Sequence, residues 1–346
     1  MNMRAEGSQS IVITQTPFRI SFFGGGTDFP DYFNQYHGAV LGAAIDKFMY
    51  VTLNSLKRLD GKRIRLSYSK LEFVDDPLEL EHQIVKHVLV DHKFFSEDDF
   101  LDIHSYADLP ASSGIGSSSS FAVGMLNALY LSRGVYKFPG DIAREAILIE
   151  REKMKDRGGW QDQVFAAYGG LNRIIFGNNN FIVEPIVISK DKRVALEEAC
   201  LLFFTGKMRS SSQVQNSVMS NDNVNKIEML GKIHDLVQNG FDILYHSKTD
   251  VEMVYEFGRL LHESWNIKRN LSSHVTNQDI DCLYEEGIRA GALGGKLCGA
   301  GGGGFILFVV PKDKRDNVMQ SLSKYKRLNI RFHDFGSRVI YSRVVN

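Results

Sequence analysis

Several features that would place this 346-residue chain at once are scarce or missing. Its 3 cysteines, Cys200, Cys282 and Cys298, stand far apart without CxxC spacing, which excludes a disulfide framework and a cysteine zinc site. The histidines show no metal spacing either. Charge of one sign is not in excess: 41 Lys and Arg balance 41 Asp and Glu, so nothing electrostatic points to nucleic acid or an anionic lipid surface. No apolar run approaches a membrane span, FILFVV (305–310) being far too short, and the opening MNMRAEGSQS carries no apolar leader core. A reduced, cytoplasmic protein with no nucleic-acid or membrane partner is expected. One further absence matters more. No lysine lies between His104 and Lys137, so the run LPASSGIGSSSSF (109–121) is not a GxxxxGK[ST] phosphate loop.

That run is nonetheless the most telling stretch present. It follows a strand-like segment (Phe100–Ala107) and opens directly on the apolar, helix-like FAVGMLNALYL. Ser117–Ser120 therefore fall at a helix start, where backbone N–H groups lack partners and the helix dipole is positive. Gly114 and Gly116 leave the backbone bare, so a bulky anion such as a nucleotide phosphate can approach. A flexible linker has similar composition, but it would not run straight into a core helix. Two more clusters, GGGTD (Gly24–Asp28) and GAGGGG (Gly299–Gly304), also border regular elements. Three bare backbone stretches suggest one crowded ligand site. GAGGGG satisfies GxGxxG through Gly299, Gly301 and Gly304, yet it opens onto the strand FILFVVP instead of a helix, so the dinucleotide reading fails.

Along the chain, 11–23 reads as a strand in which Pro17 marks an edge or a bulge. Residues 38–56 read as small-residue packing followed by a strand, and 62–68 as a half-exposed strand. The charged run 57–65 reads as a hairpin turn. Helical periodicity covers 79–92, 118–133 and 139–154, and a hairpin turning at Gly177 and Asn178–Asn180 follows. LLFFTG (201–206) is a short buried strand, and helix then dominates to Ala292. A polar helix at 314–326 and a strand pair formed by IRFHDF and SRVIYSRV close the chain. The expected fold class is α+β, in two units, 11–190 and 191–346, with the site between them.

Taken together, PFRISFFGGGTDF, LPASSGIGSSSSF and KLCGAGGGGF resemble, in order and spacing, the three motifs of the GHMP small-molecule kinases. The resemblance runs from Pro17 to Phe305. It implies a two-domain GHMP kinase fold with a ferredoxin-like second domain, ATP as phosphoryl donor and Mg2+. Departures are Ser119 and Ser120 where the family commonly has alanines, Cys298 where Thr or Ser is usual, and Gly25–Gly26 where galactokinases have Glu-His. The connecting segments GGWQDQVFAAYGGLNRI and LHESWNIKRNLSS are similar to those of sugar kinases in heptose and fucose activation. That branch implies phosphorylation of the anomeric hydroxyl of a sugar phosphate, for capsule or lipopolysaccharide. A free-sugar kinase for fucose, mannose or an N-acetylhexosamine, and a catalytically silent sensor on the same fold, are the alternatives. A homodimer is the assembly considered.

The resemblance assigns the nucleotide to Pro110, Ser113, Gly114, Ile115, Gly116, Ser117, Ser118 and Ser119. It makes Asp162 the general base, against a plain helix N-terminal carboxylate. Arg19 orients it, against a surface strand arginine. Ser118 and Glu150 are the magnesium ligands, with Glu152 the rival because EREK permits either register. Asp28 accepts from a sugar hydroxyl, against a buried Asx-turn residue; Gly25, Gly26, Thr27, Gly301 and Gly302 line the sugar. Lys207, Arg209 and Ser210 are candidates for the substrate's own phosphate, against an ordinary helix cap. Lys296 either touches phosphate or merely flanks its loop. Trp265 reads as a core aromatic.

Overall fold

The computed structural model describes residues 9–56, 61–91, 94–95, 99–111, 113–207 and 224–345. The first part of the chain supplies β1 (Gln9–Phe23), α1 (Pro30–Tyr36), β2 (Gly38–Leu56), β3 (Ile64–Ser67), β4 (Leu71–Val74), α2 (Gln83–Asp91) and β5 (Phe100–Ala107). Then come α3 (Ser117–Ser132), α4 (Pro139–Leu148), α5 (Gln161–Tyr168), β6 (Leu171–Gly177), β7 (Asn180–Pro185), α6 (Lys190–Ala199) and β8 (Cys200–Phe204). The remainder holds α7 (Val224–His246), α8 (Asp250–Lys268), α9 (Gln278–Arg289), β9 (Gly294–Leu297), β10 (Phe305–Val309), α10 (Arg315–Ser321), β11 (Arg327–Leu328) and β12 (Arg338–Val345).

Two sheets organise these elements. The larger runs β12-β1-β2-β5-β3-β4, with β6 and β7 continuing from β2, and the smaller runs β11-β8-β10-β9. Pro17 sits at a register shift in the β1–β2 ladder, beyond the stretch where β12 pairs with β1, so its missing N–H leaves no gap. The β6–β7 hairpin turns on Asn178 and Asn179, both at positive φ, as a two-residue turn matching the strand twist requires.

Four expectations are corrected. Residues 38–56 form one continuous strand, because β6 pairs with its first half and β5 with its second. The strands flanking the run 57–65 do not pair with each other, because β5 lies between β2 and β3; residues 57–60 themselves fall outside the described residues. The closing segments do not pair with each other. Phe332 bridges Ile45 and β12 pairs with β1, so the last strand of the expected 191–346 unit belongs to the first sheet. The helix at 314–326 is also shorter, covering Arg315–Ser321.

The cores explain how the site is held. One cluster packs α2–α5 on the larger sheet, including Phe121, Met125, Phe165 and Phe176. A second joins the two sheets: Phe18, Ile20, Phe22 and Phe23 from β1 meet Phe257 from α8 and Leu307 from β10. Phe22 and Phe257 meet edge to face at 5.1 Å. Trp265 is fully buried beside Tyr284 in a third cluster. The apolar junction between the units is thus continuous, and it fixes the end of β1 against the β9–β10 turn.

Candidate active site

The three glycine runs converge because each occupies the end of a buried element. GGGTD ends β1, SGIG precedes α3, and GAGGGG joins β9 to β10. At their closest approaches there is no room for a side chain. A Cβ on Gly114 would lie 2.6 Å from the Cys298 carbonyl oxygen, and one on Gly304 would lie 2.3 Å from that of Ser113. Gly116 is the residue before α3, at φ +84, and no side chain caps that helix. Its first-turn N–H groups therefore face the cleft unclaimed by a cap, the electrostatic setting that anions favour. Buried Ser113 Oγ and Ser117 Oγ, both in cleft-lining residues, have no hydrogen-bond partner among the described residues.

Arg19, only 4% exposed on β1, connects this loop to a carboxylate. Its Nε and Nη2 donate to the two oxygens of Asp162 at 2.8 Å each, and Nη1 donates to the Gly114 carbonyl at 2.8 Å. Its backbone N–H donates to Ile115 O at 3.2 Å. Asp162 stands in the first turn of α5, where the dipole favours negative charge. The planar guanidinium thereby fixes carboxylate and loop in one piece.

Glu150 lies in a π-helical turn, Ile149–Lys153, that continues α4. The turn buries Glu150 and leaves Glu152 exposed. Ser118 Oγ donates to Glu150 Oε1 at 2.6 Å and Ser119 Oγ to Oε2 at 2.8 Å, with Gln163 Nε2 as a third donor. Burial pushes the Glu150 pKa up, and those three bonds oppose it. A buried carboxylate held only by neutral donors, beside a serine hydroxyl, is a hard oxygen set that suits Mg2+. Among the described residues there is no cluster of three or more His, Cys, Asp or Glu for a metal.

On the other side of Asp162, Asp28 is 1% exposed. It accepts from Gly26 N at 2.9 Å and Gln161 N at 3.3 Å. Burial raises its pKa above the ordinary carboxylate value, and the Gly26 bond partly offsets this. Gly25, Gly26, Phe29, Gly159 and Gln161 line the same wall, and Gly301 faces it from the third motif.

Other expected residues lie elsewhere. Thr27 is a structural clasp: its hydroxyl bonds the Gly24 and Ala39 carbonyls at 2.8 Å, away from the cleft. Pro110 is exposed and outside the cleft, whereas Ile115 is buried in the core and contributes only its carbonyl. Gly302 donates its N–H to Val275 O at 2.9 Å and does not line the cleft. Lys207 is exposed and paired with Asp279; Arg209 and Ser210 lie outside the described residues. Lys296 is buried and donates to Phe22 O at 3.0 Å, which joins β9 to the end of β1.

Several cleft residues escaped sequence reasoning, among them Gln163, Arg151 and Lys268. Lys268 ends α8 inside LHESWNIKRNLSS, a stretch whose likeness was visible although this lysine did not stand out in it. It is 7% exposed and donates to Gly299 O at 2.6 Å. Burial pushes its pKa down to about 8, with Cys298 opposing and Arg19 adding to the shift.

Residues 82–170 match the GHMP kinases N terminal domain and 252–327 the GHMP kinases C terminal domain. The D-glycero-alpha-D-manno-heptose 7-phosphate kinase of Campylobacter jejuni is 34% identical over 335 residues, covering 90% of this chain and 93% of that protein. The chain is a GHMP kinase. This GHMP kinase also matches the bifunctional fucokinase/GDP-fucose pyrophosphorylase of Arabidopsis thaliana at 26% identity, over 93% of the chain but only 32% of that protein. A crystal structure of a D-glycero-D-manno-heptose 1-phosphate kinase from Bacteroides thetaiotaomicron superposes with a TM-score of 0.77 and 26% identity, covering 95% of this chain and 99% of the other. The kinase fold expected from the three motifs is the fold observed, and the chain is an ATP-dependent sugar kinase. No helix among the described residues is long and apolar enough to cross a membrane.

Proposed function

We propose that this kinase transfers the γ-phosphoryl group of ATP to the anomeric hydroxyl of D-glycero-D-manno-heptose 7-phosphate. The product is the 1,7-bisphosphate, an intermediate toward nucleotide-activated heptose for capsule or lipopolysaccharide, made in the cytoplasm where ATP is available. The observation that carries the reading is the Arg19–Asp162 pair, which stands between the uncapped start of α3 and the Asp28 wall. Two of the relatives named above act on heptose monophosphates by name, and their names differ in which phosphate the acceptor already carries.

In this reading the first-turn N–H groups of α3 hold the nucleotide phosphates, and Asp28 accepts from a sugar hydroxyl. Asp162 takes the proton of the anomeric hydroxyl as that oxygen attacks the γ-phosphorus and ADP leaves. Arg19 orients Asp162 and offsets charge on the transferring group. Ser118 and Glu150 would hold Mg2+, which when bound neutralises phosphate charge.

A free-sugar 1-kinase is the second reading, favoured by the fucokinase similarity and by Lys207 facing Asp279 instead of the cleft. The test is ADP release with ATP, Mg2+ and a panel of heptose 7-phosphate, heptose 1-phosphate, free heptose, fucose and mannose. Preference for heptose 7-phosphate with an acid-labile new phosphate is expected. No ADP from any sugar phosphate would refute the proposal.

A further inference from the structure

The wall of the cleft formed by the C-terminal part of the chain carries a charge that the nucleotide chemistry leaves unused. Lys268 lines the cleft together with Leu271, Val275 and Gly299, yet is only 7% exposed. Its ammonium forms no ion pair with any described residue; its contacts are the carbonyls of Gly299 at 2.6 Å and Leu297 at 3.5 Å. An ammonium has three donors, and one short bond anchors it while leaving donor capacity for a ligand.

Arg19 is matched by Asp162, whereas neither Lys268 nor Lys296, both buried, forms an ion pair with any described residue. Lys296 is turned away to Phe22 O and does not line the cleft. A buried cation without a counter-ion is costly, so the arrangement favours a bound anion. The titratable groups acting most strongly on Lys268 are Cys298, Arg19, Asp28 and Asp162, all at the reacting centre or the acceptor wall. ATP phosphates already have the start of α3. The remaining anion is one that the acceptor brings.

We infer that Lys268, anchored by the Gly299 carbonyl, is the residue that receives the phosphate already carried by the sugar acceptor. This rests on the sugar-phosphate reading above and locates its specificity on α8 instead of at Lys207. A phosphate seated there would touch the residue that ties down the third glycine motif, so acceptor binding and loop position are coupled.

The experiment compares kcat/KM for heptose 7-phosphate and free heptose in wild type, Lys268→Met and Lys268→Arg, with thermal melting to verify folding. Loss of one charge-assisted contact predicts that the preference for the phosphorylated acceptor falls about 10- to 100-fold in Lys268→Met. Lys268→Arg, which keeps the cation, should retain most of it. An equal fall for both acceptors in Lys268→Met would overturn the assignment, since a purely loop-supporting lysine gives that result. So would loss of the preference on Arg209→Met while Lys268→Met keeps it. Should Lys268→Met not fold, the same ratio is read on Lys268→Gln. A wild-type enzyme inactive on every sugar phosphate would remove the proposed function itself, which is a distinguishable failure.

Discussion

Gly159→Ala tests the acceptor wall with a single methyl group. Gly159 is not at positive φ, so alanine meets no backbone penalty there. The added carbon would instead lie 1.9 Å from Asp28 Oδ2 and 2.4 Å from its Cγ. Ordinary contact begins near 3.4 Å, so the carboxylate must retreat by roughly 1.5 Å. Its bonds to Gly26 N at 2.9 Å and Gln161 N at 3.3 Å do not survive such a shift. The sugar hydroxyl then no longer meets this carboxylate, and the upper end for one hydrogen bond to a charged group puts the loss at about 3 kcal/mol. That corresponds to about a 100-fold higher KM for the acceptor. The KM for ATP should stay near wild type, since the start of α3 is untouched. Steady-state kinetics with both substrates varied, plus a melting curve, decide it. A folded variant whose acceptor KM moves less than about threefold, or whose ATP KM rises in step, refutes the reasoning.

Asp162→Asn should lower kcat by about 10²- to 10⁴-fold while ATP binding, followed by fluorescent-nucleotide titration, stays close to wild type. Glu150→Gln should raise the Mg2+ concentration needed for half-maximal rate, read from a metal titration at saturating ATP. The same variant has a stability signature. Because the folded Glu150 pKa is raised, the native state binds the extra proton, and wild type gains stability relative to Glu150→Gln as pH falls from neutral through that raised value. Lys268 has the opposite arrangement, with a folded value of about 8 against 10.5 for the ordinary side chain. The unfolded chain holds the extra proton in that window, so wild type should gain stability relative to Lys268→Met as pH rises from about 8 toward 10.5, measured as the difference in Tm.

Local chemistry was legible where a residue's neighbours in sequence are also its neighbours in space. Gly114 and Gly116 before an apolar helix could be read as an anion cradle, because helix starts and bare backbone are local properties. The Asn178–Asn179 turn was legible for the same reason. The choice between Glu150 and Glu152 was not, since it depends on a π turn that only packing against Ser118, Ser119 and Gln163 selects. Thr27 and Lys207 misled because their partners, Ala39 and Asp279, are supplied by other elements.

The amino-acid sequence alone determined the family, through three ordered glycine runs whose backbone requirements admit few other residues. It also determined the separate identities of Arg19 and Asp162 as candidates. Tertiary structure decided that they meet, in a bidentate pair that also grips Gly114. It decided that the last strand returns to β1, and that Lys268 ends buried in the cleft wall with no ion-pair partner among the described residues. Each of those outcomes is a long-range contact made when two sheets close on a shared apolar junction, and no local pattern in the chain encodes which charges that closure leaves facing one another.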